Sequence, residues 1–157
     1  MPSRNLDDLM NPFQSVVRNA LEEFNEKHKG IMKAVVICTS RKLVEQIALF
    51  CKGRMTDLED VARVYRKVGL PTPTDNRECT WTLESMHIDF RAIDFMIVEE
   101  GGDVNWNAKA DIDKDKISDY QEFYYACREA AINLQLHPDF IVWGDSWKDS
   151  GHIEWRG

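Results

Sequence analysis

The chain has 157 residues, of which 43% are hydrophobic and 30% charged, and its formal net charge at pH 7 is −7. This length and this balance predict one soluble globular domain spanning residues 1–157. The negative charge argues against a nucleic-acid-binding protein, and the lack of any apolar run of about 20 residues argues against stable membrane insertion.

The first elements in chain order are a helix and a strand. The N-terminal stretch MPSRNLDDLMNPF lacks the basic and apolar regions of a signal peptide, which predicts synthesis in the cytoplasm without a secretion signal. Apolar residues then recur at helical spacing over residues 6–28, which predicts an amphipathic helix. His28 lies between lysines at its end, so we expect it to be exposed. The β-branched run MKAVVICTS predicts a buried strand near residues 33–39.

Two further helices are predicted before the middle of the chain. The first covers residues 40–53, with Ser40 as its N-cap and Gly53 as its C-cap. The second covers the segment DLEDVARVYRKVG and is closed by Gly69. The four cysteines are widely spread without a CxxC pair, so we expect free thiols.

The second half of the chain contains most of the predicted strands. The predicted elements are a loop over 70–79, a short strand at TWTL (80–83), a strand at RAIDFMIV (91–98), a polar loop over 99–115, a helix over 118–136 that starts with a Ser118–Gln121 capping box, and closing strands at DFIVWG (139–144) and HIEWR (152–156). Helices come first and strands cluster later. This order predicts an α+β fold with a small, mainly antiparallel sheet and helices packed on one side.

Two short stretches contain residues suited to a metal centre. The segment SMHIDFRAID places His87 seven positions before Asp94, and DSGHIE contains Asp149 and His152. A catalytic zinc takes three protein ligands and leaves a fourth position open. His87 from the loop before a strand, Asp94 within that strand and His152 from a neighbouring strand supply three. On the spacing alone, a core histidine bonded to a nearby acid is the better explanation, because no established motif has this spacing.

The same residues carry a resemblance to a known family. The chain resembles the zinc peptidases of peptidoglycan that comprise D-Ala-D-Ala carboxypeptidases and phage L-alanyl-D-glutamate endopeptidases. Their signature is SxHxxGxAxD, followed near the C-terminus by an acid, two residues and His-x-Glu. The matching residues here are Ser85, His87, Ala92, Asp94, Asp149, His152 and Glu154. The likeness extends to SRNLDDLMNPF, TSRKLVEQIALFCKGR, TWT and WGDSW, so it covers residues 3–156.

The resemblance implies a role for each matching residue. It implies that His87, Asp94 and His152 bind Zn²⁺ in a cleft at the sheet, and that Asp149 is the general base. Arg41 would hold the developing oxyanion or the scissile carbonyl. Supporting roles are expected for Gln46 in the cleft, for Ser85 in orienting the His87 loop, and for Glu154 in orienting a zinc histidine.

One position departs from the family pattern, because Phe90 stands where the family has glycine. A phenylalanine there either adopts the glycine's backbone conformation or reshapes the floor of the cleft.

The resemblance predicts hydrolysis of the stem peptide of bacterial peptidoglycan, with the L-Ala–D-Glu bond as the expected target, as in phage endolysins. Two alternatives remain open: a D-Ala-D-Ala carboxypeptidase or dipeptidase of the same fold, and a catalytically silent zinc-binding or wall-recognition module. We expect no separate cell-wall-binding domain. Access to the wall is expected to depend on a membrane-permeabilising lysis partner or on lysis of the host cell.

The tryptophans near the motifs allow two interpretations. Trp81, Trp143, Trp147 and Trp155 either line a peptide- or sugar-binding cleft or pack in the core and at its rim.

A second metal site is suggested by the acidic segment DIDKDKISDYQE. The acids at calcium-loop positions one, three, five, nine and twelve are Asp111, Asp113, Asp115, Asp119 and Glu122. Lys116 replaces the glycine expected at position six, and Ser118 replaces an apolar residue at position eight. The alternative is a solvated acidic loop that runs into the following helix.

Overall fold

The computed structural model describes residues 2–157. Its helices are α1 (Phe13–Lys27), α2 (Leu43–Cys51), α3 (Leu58–Val68) and α4 (Asp119–Asn133). Its strands are β1 (Met32–Cys38), β2 (Ala92–Glu99), β3 (Val104–Asn105), β4 (Ile141–Trp143) and β5 (His152–Trp155). Short 3₁₀ turns occupy Leu6–Asp8, Pro138–Phe140 and Gly144–Trp147. Within the described range, no helix is both long enough and apolar enough to span a membrane.

The strands form one antiparallel sheet with the order β1-β2-β5-β4. Strand β2 is its centre, since it pairs with β1 on one side and with both β5 and β3 on the other. Strand β4 completes the sheet by pairing with β5. The predicted α+β fold with a small antiparallel sheet is therefore confirmed.

The two faces of the sheet have different neighbours. Ile93, Phe95 and Ile97 of β2 belong to the main buried cluster, together with the apolar faces of α1 and α4. The ring centroids of Phe95 and Phe123 of α4 lie 4.6 Å apart. Because successive side chains along a strand point to opposite faces, Asp94 faces away from α1 and α4.

A second, smaller cluster joins α2 and α3. Its buried members are Ala48, Val61, Tyr65 and Leu70. Helix α3 begins where the side chain of Asp57 accepts the Asp60 N–H, and it ends at Gly69, which adopts φ 76°. The predicted helix 57–69 and its glycine cap are confirmed.

Several predicted boundaries are wrong for identifiable reasons. Helix α1 begins after Pro12, because proline has no N–H to donate within a helix. The N-cap of α2 is Lys42 rather than Ser40, and the helix ends at Cys51, before Gly53. Ser118 is the N-cap of α4, but its side chain makes no capping bond.

The segment TWTL does not form a strand. Trp81 is 82% exposed, and the carbonyl of Thr82 accepts the Gln46 Nε2–H at 2.7 Å. The segment was expected to pair with another strand. Hydrogen bonds from the Gln46 side chain of α2 hold it in place instead.

The prediction that His28 is exposed is also wrong. Its relative exposure is 2%, and its Nδ1 lies 2.8 Å from the carbonyl oxygen of Phe24. The side chains of its neighbours Lys27 and Lys29 are 63% and 75% exposed. Successive residues around a helix end point in different directions, so flanking lysines do not determine where the histidine lies.

Phe90 adopts a left-handed backbone conformation of the kind that favours glycine. Its φ is 60°, and its carbonyl oxygen accepts the Met10 N–H at 3.0 Å. The side chain is 48% exposed and does not line the cleft described below. The chain thus keeps the left-handed path with phenylalanine, and the idea that its ring reshapes the cleft floor is not supported.

This conformation leads to a stability prediction. We expect Phe90→Gly to have a free energy of unfolding about 1 kcal/mol higher than Phe90→Ala, because a left-handed φ penalises any residue with a Cβ. Urea unfolding of both variants measures the difference. An alanine variant as stable as the glycine variant would contradict the assigned φ.

Candidate metal centre

The pairing of β2 with β5 brings Asp94 and His152 together. The two residues are directly opposite in the antiparallel ladder, so their side chains share a face of the sheet. His87 comes from the turn that precedes β2. The N–H of His87 lies 3.4 Å from Ser85 Oγ, and the Ser85 carbonyl accepts the Ile88 N–H at 2.9 Å. Ser85 therefore bonds locally within the His87 turn.

One carboxylate oxygen connects the three predicted metal ligands. Oδ1 of Asp94 lies 3.0 Å from Nε2 of His87 and 2.8 Å from Nδ1 of His152. The two imidazole centroids are 5.1 Å apart. Residues from positions 87, 94 and 152 therefore direct two nitrogens and one oxygen to the same place.

The second nitrogen of His152 contacts another acid. Nε2 lies 3.1 Å from Oε1 of Glu154, whose Oε2 accepts from Nε of Arg156 at 3.0 Å. Burial lowers the pKa of His152, but hydrogen bonds to Asp94 and Glu154 outweigh burial and raise the pKa to about 9. The hydrogen bond from His152 in turn lowers the pKa of Glu154. Glu154 thus holds the far side of the His152 ring.

Asp94 is ionised despite its enclosed position. Burial raises the pKa of this carboxyl, but the hydrogen bonds from His152 and His87 hold the pKa well below its usual range. A permanent negative charge between two imidazoles favours positive charge at this point, either as protons on the rings or as a metal ion.

Cys38 is a neighbour of the site that sequence reasoning missed. Its Sγ lies 3.6 Å from Nδ1 of His87, at a register shift in β1 between Val36 and Cys38. Irregularities of this kind re-aim a side chain next to a site. Burial raises the pKa of the Cys38 thiol to about 11, so it is a neutral thiol at pH 7. Only the irregularity, which the sequence does not reveal, brings it to the histidine.

Arg41 is the residue before the N-cap of α2, and its side chain extends to Asp94. Its Nη2 lies 3.4 Å from Oδ2 of Asp94, and its Nη1 donates to Oε1 of Gln46 at 2.8 Å. Gln46 is fully buried and also donates to the Thr80 hydroxyl oxygen at 3.0 Å. Gln46 therefore fixes both the guanidinium and the TWTL segment.

Asp149 lies beside the same centre. Ligand atoms of Asp94, Asp149 and His152 fall within 4.8 Å of one another. Partial exclusion of water is the largest cause of a raised pKa at the Asp149 carboxyl, and the nearby charge of Asp94 raises it further. A carboxyl with a raised pKa is suited to accepting a proton and giving it up again.

Gly144 makes the Asp149 turn possible. The Asp149 N–H donates to the Gly144 carbonyl at 3.0 Å. A Cβ on residue 144 would collide with the Asp149 carbonyl oxygen and would lie 3.0 Å from the Cβ of His152. Only glycine leaves the space that both residues need.

A cleft of about 780 Å³ is lined by Arg41, His87, Asp94, Asp149 and His152. Trp81 and Trp147 line it, together with Trp106, which the sequence did not single out. Trp155 is buried in the main core, and Trp143 packs against that core and stacks on Tyr124. The predicted tryptophans thus divide between the cleft and the core.

The acidic segment lies around the end of α1 and the start of α4. Carboxylate oxygens of Asp111, Asp113 and Asp115 lie within 4.8 Å of one another. Ligand atoms of His28, Asp113 and Glu122 likewise lie within 4.8 Å of one another. Asp119 is fully buried, and its Oδ1 accepts the Ile112 N–H at 3.0 Å. The predicted acids therefore occupy one region, which also contains a histidine.

The donor set around Asp94 fits zinc. Two imidazole nitrogens and one carboxylate oxygen are typical ligands of a zinc site with an open position. Nε2 of His87 and Nδ1 of His152 are the nitrogens available for a metal, because Nδ1 of His87 faces Cys38 and Nε2 of His152 faces Glu154.

No family model and no curated protein matches the sequence. Among solved structures, the chain is similar to the crystal structure of the Serratia marcescens L-Ala D-Glu endopeptidase ChiX, with a TM-score of 0.57. The match has 19% sequence identity and covers 99% of this chain and 88% of that chain. At this identity the similarity establishes a shared fold.

The hydrogen bonds of His152 lead to a pH prediction for the metal-free protein. Its folded pKa of about 9 exceeds the ordinary value of about 6.5. The stability that the charged ring contributes is therefore full below about pH 6.5 and is lost as the pH rises through about 9. NMR titration of the ring measures this pKa, and Asp94→Asn should lower it. A parent ring that titrates near 6.5 would contradict the assigned hydrogen bonds.

Proposed function

We propose that the chain is a zinc-dependent peptidase of bacterial peptidoglycan that cleaves the bond between L-Ala and D-Glu in the stem peptide. The observation that carries the proposal is the meeting of His87 Nε2 and His152 Nδ1 at Asp94 Oδ1, with Asp149 alongside. The shared fold with a protein described as an L-Ala D-Glu endopeptidase supports the choice of substrate.

In this proposal His87, Asp94 and His152 hold the zinc ion. When bound, zinc supplies Lewis acidity, which polarises a carbonyl and acidifies a water molecule. Glu154 orients the His152 ring through Nε2, and Cys38 lies against Nδ1 of His87. The two rings are thereby held from behind, which limits their freedom to turn away from Asp94.

Asp149 is the proposed general base and then the general acid. Its carboxylate takes a proton from the attacking water as the C–O bond forms. It later gives that proton to the amine nitrogen as the C–N bond breaks. The raised pKa of Asp149 suits both steps, since it makes the carboxylate a stronger base at neutral pH.

Arg41 is proposed to stabilise the negative charge that develops on the carbonyl oxygen. Its guanidinium lines the cleft and is held by Gln46, so it is fixed before substrate enters. Its Nε is buried and has no hydrogen-bond partner.

The cleft has a composition suited to the stem peptide. Its volume of about 780 Å³ fits a short peptide segment. Exposed Trp81 and Trp106 offer flat apolar surfaces, while Lys148 and Arg156 offer positive charge for the carboxylates of such a peptide. The structural neighbour is described as an L-Ala D-Glu endopeptidase, which is the reason for proposing internal cleavage. A carboxypeptidase of the same fold remains the alternative that analysis of the digest tests.

The central prediction concerns Asp149. We expect Asp149→Ala to retain about one zinc ion per chain and to lose at least about 10²-fold in kcat on purified cell walls, because it removes the proton acceptor and leaves the ligands. Metal analysis and a wall-solubilisation assay measure the two effects. His87→Ala, in contrast, should lose zinc as well as activity.

Asp89→Ala is the matched control, because Asp89 is an exposed acid in the His87 turn and does not line the cleft. It should keep both zinc and activity. If Asp149→Ala digests walls as fast as the parent, the mechanism is wrong. Mass spectrometry of the digest identifies the bond: glycan that retains a single L-Ala, together with released peptides that begin with D-Glu, supports the endopeptidase, and loss of terminal D-Ala alone supports the carboxypeptidase.

A further prediction concerns Arg41. At saturating zinc, Arg41→Met should lower kcat by about 10²-fold with a smaller change in KM, because the lost donor acts on charge that forms in the transition state. Steady-state kinetics on a stem-peptide substrate measures both constants. A rise in KM at unchanged kcat would instead assign Arg41 to ground-state binding.

A further inference from the structure

The acidic segment folds into a compact loop between β3 and α4. The carboxylate of Asp111 accepts the N–H groups of Asp115 and Lys116, both at 3.0 Å. Lys114 and Lys116 adopt φ values of 64° and 79°. Lys116 thus takes the left-handed conformation for which glycine is usual at this position, so the missing glycine does not prevent the turn.

Two acids at the base of this loop have buried oxygens without partners. Asp119 is 0% exposed and Glu122 is 6% exposed. Oδ2 of Asp119 and Oε2 of Glu122 are both enclosed and make no hydrogen bond. A buried carboxylate oxygen without a partner is costly, and a bound cation removes that cost.

His28 adds a third buried atom without a hydrogen-bond partner. Its Nδ1 faces the Phe24 carbonyl, which only accepts hydrogen bonds, so Nδ1 carries a proton. The enclosed Nε2 lies 3.5 Å from Oδ2 of Asp113 and 3.4 Å from Oε1 of Glu122. In the neutral ring the lone pair of this nitrogen faces two carboxylates, which is electrostatically unfavourable. A cation between the three groups would remove this repulsion.

Lys27 contacts one of these acids, Glu122. Its ammonium donates to Oε1 of Glu122 at 2.8 Å, but the side chain is 63% exposed. A solvated ammonium on a flexible stem is readily displaced.

Asp113 connects the whole set. It belongs both to the group with Asp111 and Asp115 and to the group with His28 and Glu122, and each group has its ligand atoms within 4.8 Å. The donors are mainly carboxylate oxygens, which suit a hard divalent cation, and their number favours Ca²⁺ over Mg²⁺.

We propose that the segment from Asp111 to Glu122 is a calcium-binding site, with Asp111, Asp113, Asp115 and Glu122 as ligands and Asp119 closing it from below. The site ties the acidic loop to the start of α4, beside the end of α1. It shares no residue with the proposed zinc centre, so it stands or falls independently of the peptidase proposal.

The test is a calcium titration of the full chain after dialysis against calcium-free buffer. Calorimetry should detect one calcium ion per chain with a Kd between about 10⁻⁶ and 10⁻³ M, and Tm should rise with calcium concentration. Glu122→Gln should weaken the affinity at least about tenfold, because it removes a charged carboxylate ligand. Glu129→Gln, an exposed acid on the same helix, should bind calcium like the parent.

Lys27→Met provides a variant with the opposite effect, and it keeps the test decisive if Glu122→Gln does not fold. Loss of the competing ammonium should tighten calcium binding several-fold. His87→Ala should bind calcium unchanged, which separates this site from the zinc centre.

Three results would overturn the proposal. The first is no heat and no shift in Tm up to about 10 mM calcium, above the weakest range for such loops. The second is equal affinity in Glu122→Gln and Glu129→Gln. The third is an equal shift in Tm from magnesium at the same concentration.

Discussion

The candidate centre depends on the contact of Asp94 Oδ1 with two imidazoles. That contact exists because β2 and β5 pair in a register that sets Asp94 opposite His152. A shift of one residue would turn His152 into the core and Ile153 towards the cleft. The apolar residues that alternate with the site residues, Ile93 and Ile153, are fully buried. Core packing on one face of the sheet therefore fixes the chemistry on the other.

Charge balance connects the separate parts of this centre. Asp94, Asp149 and Glu154 surround His152. Their negative charges and hydrogen bonds stabilise the protonated ring and so raise its pKa. In the metal-free chain, protonation of the ring balances these negative charges. A bound metal ion would balance them instead and would displace the proton. Arg41 approaches from outside this set, where Gln46 holds it. The Arg41 guanidinium, which Gln46 holds in place, is thus a fixed positive group at the cleft beside these carboxylates.

Sequence patterns predicted the parts of the structure that depend on local periodicity. The pattern of RAIDFMIV predicted the strand that contains Asp94, and Gly69 marked the end of α3 correctly. The residues that sequence reasoning missed depend on contacts between distant segments. Cys38 reaches His87 through a register irregularity, and His28 is buried by packing at a helix end. The TWTL segment has strand-forming residues, but Gln46 competes for its backbone.

Gly144 is in close contact with two residues that have different proposed roles, Asp149 and His152. Its backbone lies so close to the Asp149 carbonyl and to the His152 Cβ that any side chain there displaces both. In an evolving lineage, drift at this one position would damage the proposed proton acceptor and a proposed metal ligand in a single step. Compensation would then need coordinated changes in two segments, so selection should purge such variants early and keep this position invariant among functional descendants.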